Sequence, residues 1–219
     1  MQTYYKIPTV FNRDSKNKKL IEGAWASPFL AYLQDSCWTF TEKVDGTNIR
    51  VAWDGYRVSF GGRTNNADIP AKAQMYLDDK FATPEAETLF EQTFGDKPAI
   101  LFGECYGDNI QNGSKDYRPD IAFILFDVLI QSPDSPAGNI WFNRAAVESV
   151  AAAVGVDAVP ILLTGTLKEG IEFIKSKPVS VVSQFENRVI EGIVGTPSVV
   201  LLDNQGKRIS VKIKVADFT

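Results

Sequence analysis

The sequence predicts an α+β fold in which antiparallel sheets carry packed helices. Three observations predict it. Asp54-Gly55 joins two alternating apolar runs, a strong hairpin signal. Two long apolar runs, Ala99–Tyr106 and Ile121–Ile130, read as strands. Between and after them lie stretches with helix caps, clearest from Thr83 to Gly95. No repeat, low-complexity block or linker interrupts the chain, so residues 1–219 are expected to form a single domain.

Residues 1–37 read as irregular, with a short helix near Ser27–Leu33. Thr39–Asp45 is a strand: Trp38, Phe40, Glu42 and Val44 face one side, and Thr39, Thr41, Lys43 and Asp45 the other. Ile49–Trp53 and Tyr56–Phe60 form the hairpin, and Gly61-Gly62-Arg63-Thr64-Asn65 leaves the sheet. Two helices follow. The second has Thr83 as N-cap, Pro84 in its first turn, apolar Ala86, Leu89, Phe90 and Phe94, and Gly95 beyond its end. A polar loop from Gly107 to Pro119, carrying Lys115 and Arg118, separates the two long strands. Asn143–Val154 is a helix with Gly155 after it, and Pro160–Leu163 a short strand. Thr166-Leu167-Lys168-Glu169 is a capping box that opens a helix running to Lys175. Arg188–Val194, Ser198–Leu202 and Arg208–Val215 are expected strands, with a turn at Asp203-Asn204-Gln205-Gly206.

Composition narrows the chemistry. Apolar residues make up 44% of the 219 and charged residues 23%, which suits a globular protein. No apolar run reaches the roughly 18–20 residues of a membrane span. The segment Met1 to Lys6 lacks the apolar core of a signal peptide. Cys37 and Cys105 read as buried thiols in a reducing cytoplasm. The chain has no histidine, which excludes Ser-His-Asp catalysis, Cys-His catalysis and His-ligated metals. Net charge is −4, so any contact with nucleic acid must use a local patch. The densest basic run is Arg13, Lys16, Lys18 and Lys19, which would equally serve as a solvated loop.

Several residues break the apolar pattern in ways that suggest chemistry. Lys43 ends an alternating run and is followed at once by the bend Asp45-Gly46, where backbone N–H groups are free. That suits a nucleophile facing a phosphate; the plain alternative is a lysine at a hairpin mouth. In the run Arg208 to Lys214, Lys212 and Lys214 share a face, held about 7 Å apart. They could converge on one anion or simply keep an edge strand soluble. Glu104 and Glu191 intrude into apolar strands, where an unpaired charge would cost several kcal/mol. Each needs a cation, a metal or a ligand hydroxyl. Phe126 reads as a core residue or as a platform for a base.

Taken in order, the set is Glu42-Lys43-Val44-Asp45-Gly46-Thr47-Asn48, Gly62-Arg63-Thr64, Phe102-Gly103-Glu104, Phe126-Asp127-Val128, Glu191-Gly192-Ile193-Val194 and Val211-Lys212-Ile213-Lys214. It resembles the covalent nucleotidyltransferases: ATP-dependent RNA ligases, DNA ligases and mRNA capping enzymes. The K-x-D-G-T-N form, with Arg63 twenty residues after Lys43, looks most like the RNA ligase 2 branch of bacteriophages and its relatives. The resemblance implies the adenylation-domain fold of the ATP-grasp-like ligase and capping-enzyme type. It also implies roles. Lys43 would attack the α-phosphorus of ATP and hold AMP covalently. Glu42 and Val44 would line the adenine pocket, and Phe126 would stack on the base. Glu104 would bind the ribose, and Asn48 and Arg63 the nucleotide or the 5′-phosphate end. Lys212 and Lys214 would contact the α-phosphate. Glu191 would hold a divalent metal, Mg²⁺ or Mn²⁺.

The chemistry agrees with those roles. A free lysine, with a pKa of about 10.4, is neutral in about one part in a thousand near neutral pH, a handicap of roughly 4 kcal/mol. Positive charge beside an amine favours its neutral form and stabilises phosphoryl oxygens. The implied partners are RNA or RNA/DNA strand ends, as nicked duplex or single strand, with no membrane and a monomeric protein. The implied location is the cytoplasm, or the host cytoplasm for a phage-encoded protein. The sequence ends at Thr219, so the resemblance implies a minimal catalytic domain with no C-terminal OB domain. A DNA ligase, a GTP-dependent capping guanylyltransferase, or a non-catalytic nucleotide or nucleic-acid binding module are the alternatives.

Overall fold

The computed structural model describes residues 1–108, 110–111, 113–132 and 138–219. Positions 109 and 112 of the expected polar loop lie outside the described residues. In chain order the elements begin with β1 (Phe11–Arg13), β2 (Leu20–Trp25), α1 (Pro28–Tyr32), β3 (Trp38–Lys43), β4 (Thr47–Trp53) and β5 (Val58–Gly62). Then come α2 (Ala71–Phe81), α3 (Pro84–Phe94), β6 (Ala99–Gly107), β7 (Ile121–Ile130), β8 (Ile140–Trp141) and α4 (Arg144–Val154). The chain finishes with β9 (Asp157–Ala158), β10 (Ile161–Gly165), α5 (Leu167–Lys175), β11 (Gly192–Pro197) and β12 (Val211–Lys214). They divide into two compact units: Met1–Tyr4 with Asp45–Val159, and Tyr5–Val44 with Pro160–Thr219.

The first unit is a sheet in the order β5-β4-β6-β7-β8, with β9 pairing parallel to β7. Alternation along β4 sends Ile49, Val51 and Trp53 to one face, beside Ala99, Leu101 and Cys105 of β6. Leu77 and Phe81 of α2, Phe90 and Phe94 of α3, and Val147, Val150 and Val154 of α4 complete that core. Helix ends are capped as the sequence suggested: Thr83 Oγ1 accepts from Ala86 N, and Asn143 Oδ1 from Ala146 N. The opposite face of the same strands carries Asn48, Arg50, Phe102 and Glu104. A bulge between Phe102 and Gly103 leaves Phe126 as the extra residue of β7.

The second unit is an antiparallel sheet in the order β10-β3-β11-β12. Its buried face joins Trp38, Phe40, Ile193, Val211 and Ile213 to Leu167, Ile171 and Ile174 of α5. The capping box at Thr166 and Glu169 is present. Val10 and Phe11 extend this core into the β1–β2 hairpin.

Several expected elements differ. The N-terminal segment holds the β1–β2 hairpin, which was not expected because β1 is three residues long and Gly23, at φ 83°, breaks the alternation of β2. The strand expected at Tyr56 begins at Val58, because Asp54 Oδ1 takes the N–H groups of Tyr56 and Arg57 in a turn. Arg188–Val194 is displaced: pairing runs over Gly192–Pro197, and Val189 makes only an isolated bridge with Val179. Ser198–Leu202 forms no strand; Leu202 bridges Arg208 alone, and Val199 is 65% exposed. Cys105 is buried as expected, but Cys37 is exposed in the turn before β3, where its Sγ accepts from Ser198 Oγ. Among the described residues, no helix is long and apolar enough to cross a membrane.

Candidate active site

In the second unit, β11 lies between β3 and β12, and the register fixes the chemistry. Gly192 is opposite Lys43 on one side and opposite Lys214 on the other. Directly opposed residues share a face, so both lysines project to the side away from the α5 core. Gly192 has no side chain to separate them. Glu191 fills the space: its Oε2 is 2.5 Å from Lys43 Nζ and its Oε1 2.5 Å from Lys214 Nζ. Burial pushes the Glu191 carboxyl up, but the two ammoniums outweigh it and hold the group below the usual glutamate range. One row away, Val194 lies between Thr41 and Lys212, which places Lys212 on the same face as Lys43.

Glu42 and Val44 go the other way. Both are buried, on the apolar side of β3. The Glu42 carboxylate accepts from Ser180 Oγ at 2.5 Å and from Val181 N at 3.0 Å. Burial raises its pKa, and those hydrogen bonds only partly offset the effect. The side chain expected to line a base pocket therefore has partners inside the protein, because strand alternation turns it away from Lys43.

The first unit brings together a different set. Asn48 and Glu104 are direct partners across β4 and β6. Asn48 Oδ1 is buried and has no hydrogen-bond partner among the described residues. Phe126 is half-buried, edge-on to Tyr4 with ring centroids 5.1 Å apart. Arg63 follows directly on β5 and is exposed. The loop carrying it is organised by Arg50, which is 2% exposed. Arg50 donates to Gly62 O, Thr64 O and Asn65 Oδ1 from three nitrogens of its guanidinium. It also donates to the carbonyls of Met1 and Gln2. A Cβ on Gly61 would meet Arg50 Nη2 at 2.8 Å, so the glycine makes room for the guanidinium.

Arg50, Ser180 and Tyr4 escape sequence reasoning. Arg50 could have been found by the rule applied to Glu104, a charge inside an apolar strand. Ser180 and Tyr4 carry no such signal. Among the described residues no group of three or more His, Cys, Asp or Glu side chains could hold a metal. A single carboxylate at Glu191 fits only a metal whose remaining ligands are phosphate oxygens and water, the usual habit of Mg²⁺.

Residues 36–214 match the family described as RNA ligase. The chain belongs to the RNA ligase family. No curated protein matched it. Solved structures of a Naegleria gruberi RNA ligase share the fold of this RNA ligase family member. A mutant form with ATP and Mn is 18% identical, with a TM-score of 0.64 over 97% of this chain and 56% of that one. The form with PPi is 19% identical, with a TM-score of 0.66 over 99% and 57%. A further mutant with AMP and Mn is 17% identical, with a TM-score of 0.62 over 99% and 60%. The chain therefore spans little more than half the length of the solved ligases it matches.

Proposed function

We propose that this chain is an ATP-dependent RNA ligase that works through a lysyl-AMP intermediate, with residues 1–219 acting as one adenylation domain. One observation carries the proposal: in an RNA ligase family chain, Lys43 and Lys214 straddle Gly192 on one sheet face with Glu191 joining them. Lys43 Nζ attacks the α-phosphorus of ATP. A P–N bond forms, the bond to the bridging oxygen breaks, pyrophosphate leaves, and the amine loses its protons. Lys212 and Lys214 stabilise charge on the α-phosphate oxygens, and Glu42 holds β3 in place from the buried side. Asn48 and Glu104 bind the sugar, Phe126 packs against adenine, and Arg63 engages the nucleotide or the 5′-phosphate. Glu191 would hold a divalent metal, which would supply further neutralisation of phosphate charge. The AMP passes to a 5′-phosphate, and a 3′-hydroxyl then attacks that end and releases AMP. The strand ends are RNA, or RNA joined to DNA. The protein acts as a monomer in a reducing cytoplasm.

The test is incubation with ATP labelled at the α-phosphate. Label is expected to become attached to the wild type in an acid-labile, base-stable form, as a phosphoramidate, and to be absent from Lys43→Ala. Labelled GTP is expected to leave the protein unmarked. Equal labelling of Lys43→Ala, or a preference for GTP, would overturn the proposal.

A further inference from the structure

The basic run at residues 13–19 has no part in the chemistry above, and the fold gives it a definite place. Thr9 pairs in parallel with Lys212, and Lys212 N donates to Pro8 O at 2.9 Å. At that bridge the chain leading into β1 therefore points in the direction that leads from Lys212 to Lys214. Because β3 and β12 are each antiparallel to β11, that is also the direction in which β3 reaches Lys43. The turn after β1 thus projects from the lysine end of the second unit's own sheet. Arg13 fastens its base through Asp217, at 2.6 Å.

The turn is stiff. Asp14 N donates to Lys19 O and Lys18 N to Asp14 O, at 2.8 and 3.0 Å. Asp14 Oδ1 accepts from the backbone of Lys16 and Asn17, and Asn17 Oδ1 accepts from Lys19 N. Those backbone donors hold the Asp14 carboxyl below its usual range. Lys18 sits in the left-handed region at φ 61°, where glycine or asparagine is the easier choice. Lys16, Lys18 and Lys19 are exposed, and among the described residues none of them has a carboxylate partner. Lys18 Nζ bonds only to a neutral carbonyl, Ser15 O. Three ammoniums without a direct ion-pair partner among the described residues are thus held on a rigid tip, with Asp14 the one carboxylate of the turn, in a chain of net charge −4.

We propose that this turn is a docking point for the phosphodiester backbone of a nucleic-acid strand whose end lies at Lys43. The choice of nucleic acid among polyanions rests on the ligase proposal. A stiff tip loses little freedom on binding, and each phosphate it neutralises releases a counterion.

The experiment compares the full chain with its K16Q/K18Q/K19Q variant for binding to a nicked RNA duplex by fluorescence anisotropy across a salt series. The variant is expected to bind at least about tenfold more weakly at low salt. Its slope of log K against log salt is expected to fall by about 2–3, at about 0.9 per duplex phosphate contact. Self-labelling from ATP should be unchanged, and the K16Q/K19Q pair, which keeps Lys18, should show an intermediate loss. An unaltered slope would overturn the docking role. So would an equal loss in a K97Q/K168Q/K207Q control, which removes the same charge elsewhere, or tighter binding of poly-glutamate than of RNA. Loss of self-labelling in the K16Q/K19Q pair would also overturn it, by placing the turn in the first step. A wild type that binds RNA through these lysines but takes no label from ATP would sink the ligase proposal and leave the docking point standing.

Discussion

Glu42 and Glu191 show how far one residue's direction decides its chemistry. Both lie in or beside central strands of the same sheet, and Glu42 is opposite Ile193 while Gly192 is opposite Lys43. Glu191 meets two ammoniums and is held ionised. Glu42 is 2% exposed, among apolar side chains, and burial raises its pKa. A carboxyl whose folded pKa is raised is protonated more readily in the folded state than in the unfolded one. Its contribution to stability is therefore full below the ordinary glutamate range, about 4.3, and is lost as pH rises through the raised folded value. Glu42→Gln does not titrate. Thermal melts of the two proteins across pH should show the wild type gaining on the variant as the solution is acidified through that window. A wild type that instead lost ground on acidification would mean that the Ser180 and Val181 hydrogen bonds, not burial, dominate this carboxylate.

At the scale of elements, β11 is the strand on which the candidate site depends, and Gly192 is its narrowest point. A Cβ there would lie 2.3 Å from Ile213 O and 2.9 Å from Lys214 Cα, both backbone atoms that cannot swing aside. Gly192→Ala should push β12 away from β11, cost about 1–3 kcal/mol, and spread the Lys43 and Lys214 pair. The expected result is a lower melting temperature together with weaker self-labelling; a variant that melts and labels like the wild type would show that β12 shifts freely. The sequence made much of this region legible because alternation is a local property. Trp38, Phe40 and Glu42 face one way and Lys43 the other in both the pattern and the fold. The capped helices were legible for the same reason, since Thr83, Asn143 and Thr166 make their bonds within three residues. What stayed hidden was pairing across long separations. The register of Gly192 against Lys43 spans most of the chain, and no periodicity encodes it. Ser180 could not be assigned because its partner, Glu42, is 138 residues away. The displaced strand near Val189 has the same origin: its apolar residues read as a strand, but among the described residues Val189 bridges Val179 alone.

The molecule as a whole is built with one unit spliced into the other. The second unit needs both Tyr5–Val44 and Pro160–Thr219, because β3 is flanked by β10 and β11, which come from the far segment. The first unit is nearly continuous in sequence, over Asp45–Val159 with Met1–Tyr4 added. Its strands β4 and β5, and β6 and β7, pair as successive strands of the chain, β4 and β6 pair across one excursion that holds α2 and α3, and its core is contained within it. Closing short loops costs less entropy than closing long ones, so the spliced-in segment has the easier folding problem. A polypeptide of residues 45–159 should therefore fold alone. It should show near-ultraviolet circular dichroism from packed aromatic residues such as Phe81, Phe90 and Trp53, and a cooperative thermal transition. It should be less stable than the parent, because Arg50 loses the Met1 and Gln2 carbonyls it serves in the full chain. Residues 160–219 alone should show neither signal, since β10 and β11 would lack β3 between them. If the 45–159 polypeptide gave only the broad, non-cooperative melt of a collapsed chain, its core would depend on residues outside it, and the two units would be one folding unit.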